Sequence, residues 1–178
     1  MKLNKIMLAA VMTLGTISMA NAANQGSGTV TFKGSIIDAP CSIEPGSLDQ
    51  TVKLGDIASA QLKNGGKSTP QDILIKLVGC DIETAKDVTT TFSGTESEAA
   101  PGLLAMKGTA RGASIAINDL DGKLLPLTKA SKAQKIEDGQ ATLRFSAHLQ
   151  GDGAAEGASA AITPGEFNSV ADFTLAYQ

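Results

Sequence analysis

Gln25-Gly-Ser-Gly-Thr-Val-Thr-Phe-Lys-Gly-Ser-Ile-Ile-Asp38 alternates with a period of two. Gly28, Val30, Phe32, Gly34 and Ile36 are small or apolar, and Thr29, Thr31, Lys33 and Ser35 are polar. Such alternation gives a strand one face to bury and one to leave in water. Two arrangements satisfy it: the strand pairs inside its own domain, or it reaches out to complete another. The pattern by itself leaves the two equal.

The residues before this stretch read as an export signal. Lys2 and Lys5 make a basic start, residues 6–19 are apolar or small, and Ala20-Asn21-Ala22 is a small-residue cleavage site. The apolar run falls short of the roughly 20 residues that span a bilayer. Cleavage after Ala22 removes 22 of 178 residues and leaves 156, and losing two lysines takes the net charge from −3 to −5. That is one domain with room for a core, and its acidic balance argues against nucleic acid or anionic membrane as a partner. Cys41 and Cys80, an even count in an exported chain, predict one disulfide. Closing that loop is worth about 4 kcal/mol in chain entropy.

Downstream, short strands follow one another between turn signals. Glu44-Pro-Gly-Ser47 is turn chemistry, Thr51–Leu54 reads as a short strand, and Asp56 is placed to cap a helical turn through Leu62. Gln71–Cys80 is almost unbroken in apolar residues, as in a central strand covered on both faces. Strands are also predicted over 89–93, 113–119 and 123–127, the last two joined by an Asp121-Gly122 hairpin turn. A polar, flexible loop is expected around Glu96 to Gly102. The longest alternation, 141–150, puts Ala141, Leu143, Phe145, Ala147 and Leu149 on one face, with His148 on the polar one. Gly151–Ala161 reads as a loop, and Phe167, Ala171, Phe173, Leu175 and Tyr177 alternate to the final residue. Seven or eight short strands without a helix longer than two turns predict an all-β sandwich or barrel.

Reactive constellations are hard to find. The single histidine, His148, sits among polar residues of a strand and reads as a surface side chain rather than a general base. No metal-ligand set is present, and Asn118–Gly122 suits a turn better than a calcium loop. Glu96, Glu98, Glu137 and Asp138 read as solvated loop carboxylates, and without Trp there is no sugar-stacking platform. The residues point to no enzyme, no cofactor and no metal. What they supply is recognition by backbone pairing.

Several motifs together resemble the structural pilins of chaperone–usher fimbriae, the major subunits of P-pilus-type and type 1 fimbriae above all. They are Gly26-x-Gly28-x-Val30-x-Phe32-x-Gly34, Ile36-Ile-Asp-Ala-Pro-Cys41-Ser-Ile43, Asp49-Gln-Thr-Val-x-Leu54-Gly55, Leu77-x-x-Cys80, Gly165 and the penultimate Tyr177. The resemblance implies an incomplete immunoglobulin-like sandwich lacking its seventh strand, in three parts: signal peptide 1–22, donor-strand extension 23–36 and pilin domain 37–178. It implies that Gln25, Gly26, Gly28, Val30, Phe32 and Gly34 form the donated strand. Gly165, Phe167, Ala171, Phe173, Leu175 and Tyr177 would be the acceptor groove and the strand a chaperone pairs with. The implied partners are further pilin subunits, a periplasmic chaperone and an outer-membrane usher, and the implied place is the cell surface, in an adhesive filament. A minor, adaptor or terminating subunit is the alternative within this class. A secreted ligand-binding sandwich is the alternative outside it.

Overall fold

A computed structural model describes residues 27–153 and 161–178. The expected signal, residues 23–26 and the 154–160 part of the Gly/Ala-rich loop lie outside the described residues. The chain divides into two units, residues 1–37 and 38–178.

In the first unit, residues 27–37 carry no regular secondary structure and are exposed, Val30 at 74% and Phe32 at 90%. Within the single chain these residues therefore form no strand of their own. Among the described residues they join no ladder, and an amphipathic segment outside a ladder lacks the backbone bonds that would hold it extended.

The second unit is a β-sandwich of immunoglobulin type. Its strands are β1 (Ser42–Ile43), β2 (Gln71–Val78), β3 (Asp87–Gly94), β4 (Lys107–Gly108), β5 (Ala113–Asn118), β6 (Gln134–Lys135), β7 (Ala141–Gly151), β8 (Phe167–Asn168) and β9 (Ala171–Tyr177). One sheet has the order β1-β2-β7-β5, a second β6-β3-β9, and β4 and β8 form a two-stranded ribbon. All the strand pairs are antiparallel. Ile75, Leu77, Leu143, Phe145 and Leu149 point inward from the first sheet, Val88 and Phe92 from the second. Phe92 meets Phe145 edge to face with ring centroids 5.1 Å apart, which locks the two layers together.

The disulfide between Cys41 and Cys80 is formed, tying the start of β1 to the end of β2. Among the described residues, no helix is long and apolar enough to cross a membrane.

Several local expectations need correction. Gln71–Cys80 is covered on one face only: Ile75 and Leu77 are buried, whereas Lys76 and Val78 face water. Thr51–Leu54 is not a strand, because no neighbouring strand pairs with it. The helical turn begins at Ser59 behind Ala58, without a side-chain cap, so Asp56 does not cap it. Residues 123–127 make single pairings instead of a ladder, Leu124 bridging Asn118 and the Leu125 N–H donating to the Ile117 carbonyl. The final alternation is interrupted at Ser169-Val170, where the chain leaves the ribbon and enters the sheet. The loop around Glu96 is pinned: the Glu96 carboxylate accepts the Gly102 N–H, Leu103 and Leu104 are buried, and Ser97 and Ser114 hydroxyls lie 2.7 Å apart. Leu104 of that loop pairs with Ile115 along the edge of β5, and all six β5 residues are buried.

Candidate functional site

β9 is an edge strand. It pairs with β3 in the register Val88↔Tyr177, Thr90↔Leu175, Phe92↔Phe173 and Gly94↔Ala171, and no strand among the described residues pairs with its other side. Its inward side chains Phe173, Leu175 and Tyr177 are only partly buried, while their partners Phe92, Thr90 and Val88 are at most 3% exposed. The sandwich closes over β3 and stays open at β9.

The opening is a groove of about 1410 Å³. Its floor is apolar: Ile73, Phe92, Leu104, Ile115, Ile117 and Leu149. One wall is the stretch from Ile162 to Phe173, and the other is residues 47–57.

The two walls are held very differently. The 162–169 wall is stitched to residues 105–112. Thr109 and Ala110 N–H groups donate to the Glu166 carbonyl (2.9 and 3.1 Å), Arg111 and Thr163 exchange backbone bonds (3.1 and 2.9 Å), and the Ser169 hydroxyl reaches the Ala105 carbonyl at 2.7 Å. Glycines permit this approach. A Cβ on Gly165 would stand 2.4 Å from Thr109 Oγ1 and 2.6 Å from the Ala110 nitrogen, and one on Gly108, at φ +138°, would stand 2.2 Å from the Glu166 carbonyl oxygen. The opposite wall, residues 51–57, belongs to no ladder. Val52, Leu54 and Ile57 are half-buried along it, and Thr51, Lys53 and Asp56 are exposed.

Of the residues expected at an acceptor site, Gly165, Phe167, Ala171 and Phe173 line the groove. Leu175 and Tyr177 continue the same face of β9 beyond it, and burial pushes the Tyr177 phenol above its ordinary pKa. Of the expected donor residues, Gln25 and Gly26 lie outside the described residues. Gly28, Val30, Phe32 and Gly34 are exposed, and a Cβ built on either glycine would touch nothing within 4 Å. The sequence reading missed the 51–57 wall, although Val52 and Leu54 alternate with Thr51 and Lys53. It also missed Met106 and Ile162, which reach the groove from segments with no periodicity to signal them.

His148 is not the surface residue expected. It is 4% exposed, its Nδ1 lies 3.0 Å from Asn118 Nδ2, and Nε2 has no partner. Among the described residues no carboxylate bonds the ring, unlike the carboxylate-oriented histidine of a catalytic triad. Among the described residues no group of His, Cys, Asp and Glu could hold a metal ion.

Comparison with known proteins agrees with this architecture. The family model described as "Fimbrial protein" matches residues 30–178. The fimbria A protein of Serratia marcescens is 59% identical over 178 residues, covering 100% of both chains. The major MR/P fimbria protein of Proteus mirabilis is 47% identical over 180 positions, again covering 100% of each. The solved structure of a chaperone–usher pilus, from a study of rod uncoiling, superposes with a TM-score of 0.75 at 34% identity, covering 86% of this chain and 97% of that one. The chain belongs to the fimbrial protein family.

Proposed function

We propose that this protein is the rod-forming structural subunit of a chaperone–usher fimbria and polymerises by strand donation. Residues 23–36 of one copy, the leader, lie along β9 of the next and fill its groove. Val30 and Phe32 are the apolar plugs, and Gly28 and Gly34 are the small residues that let the strand seat closely. The observation that carries this reading is the groove itself, an apolar trough with an unpaired sheet edge along one side. Left open, such an edge invites aggregation, and one added strand supplies both the missing hydrogen bonds and the missing apolar cover.

The contact is heterologous and does not close on itself, so repetition makes a fibre. Before assembly the same groove needs a temporary occupant, the role of a periplasmic chaperone that pairs with β9. An outer-membrane usher would then exchange that occupant for the next leader and pass the filament to the cell surface. The names of the relatives, a major fimbria protein and a pilus rod among them, favour a rod subunit over an adaptor or terminator. The work assigned to the protein is mechanical and adhesive, with no reaction, cofactor or metal.

Deleting residues 23–33, or making Phe32→Asp, should abolish filaments in electron micrographs while the chaperone complex still forms. Filaments of normal length from the deletion would refute the proposal.

A further inference from the structure

β9 is not the only strand edge bordering the groove. β2 carries the apolar run Ile73-Leu-Ile-Lys-Leu-Val78, and β1 pairs with only its last residues, Ser42 with Val78 and Ile43 with Leu77. Beyond them β1 turns away into the short helix Pro45–Leu48, which leaves the edge from Leu74 to Lys76 without a strand. An open apolar edge here would be a second seat for an amphipathic leader.

That edge is closed by the turn and its side chains. The Glu44 N–H donates to the Lys76 carbonyl at 2.9 Å, the Lys76 N–H donates to Ser47 Oγ at 3.0 Å, and Gln50 Nε2 donates to the Leu74 carbonyl at 2.9 Å. A second bond, from Gln50 Nε2 to the Ser47 carbonyl at 3.1 Å, holds the amide in place. Lys76 and Glu44 are paired across the same edge at 3.3 Å. Ser47 is 4% exposed, and both Ser47 and Gln50 line the groove where the 51–57 wall departs. Two side chains thus occupy positions on β2 that a neighbouring strand's backbone would otherwise take.

We infer that Ser47 and Gln50 are specificity-determining residues for strand addition: by occupying the β2 edge of the groove they direct the incoming strand to β9. The inference rests on the strand-donation reading. It predicts a change in where the leader docks, which loss of stability alone would not produce.

The test uses the full mature chain during assembly. A cysteine at Thr31→Cys in the leader is combined with one at Thr174→Cys on β9 or at Asp72→Cys on β2, and a short bifunctional thiol reagent links those that come together. In the otherwise native chain the leader should link to β9. With Gln50→Leu, which removes the donor at an exposed position, linkage to β2 should rise about fivefold, the factor expected when one hydrogen bond no longer guards the edge. Gln50→Lys, which restores a donor, should bring it back to the native level. Linkage confined to β9 in the Gln50→Leu chain would overturn the inference and leave strand donation standing. Absence of leader linkage to either strand in the native chain would overturn strand donation, and the inference with it.

Discussion

His148 shows how a single residue can couple the fold to pH. Its imidazole is buried against β5, and burial first, then the nearby Lys67 charge, lowers its pKa below that of a free imidazole, about 6.5. The folded state thus keeps the ring neutral where the unfolded chain takes a proton. Stability should be unaffected above pH 6.5 and should decline as the pH falls below it, until the folded ring also protonates. Urea midpoints measured between pH 7.5 and 5 test this, and His148→Gln should flatten the decline. Gly165 makes a steric case at the same scale. In Gly165→Ala the new methyl would press on Thr109 and the Ala110 nitrogen. The variant should lose about 1–3 kcal/mol in urea unfolding. Both outcomes depend on neighbours that are distant in sequence. For that reason the polar face of the 141–150 alternation suggested a surface histidine, and only tertiary packing reveals a buried one.

Among the elements, those with their own periodicity were legible from the residues alone. The alternation over 141–150 became β7, the apolar run at 71–80 became β2, and the final alternation became β9. Pairing across the fold was not legible. β4 and β6 are two residues each, and the 51–57 wall alternates like a strand yet has no ladder, because a strand is defined as much by its neighbour as by its pattern. The groove was readable to the extent that its residues sit on β9 and just before it. Its floor was not, since Leu104, Ile115 and Leu149 are assembled from three separate segments. The Cys41–Cys80 disulfide acts at this scale by holding β1 beside β2. Replacing both cysteines by serine should cost about 2–5 kcal/mol and leave a chain that unfolds near physiological temperature. Calorimetry of the oxidised and serine forms would measure it.

For the molecule as a whole, the described fold is a sandwich with one open seam, and residues 27–36 of the leader carry an apolar alternation that is exposed. Seating Val30 and Phe32 in an apolar site would contribute roughly 1.5–3 kcal/mol each, with backbone bonds along the strand in addition. The most direct test of strand completion supplies the leader in trans. A subunit lacking residues 23–33 is released from its chaperone with a synthetic peptide of residues 24–36, and its thermal unfolding is followed alongside native mass spectrometry. The account predicts a one-to-one complex with a Tm well above that of the peptide-free subunit, and no rise with a peptide carrying Phe32→Asp. A leaderless subunit that is equally stable alone and takes up no peptide would contradict it.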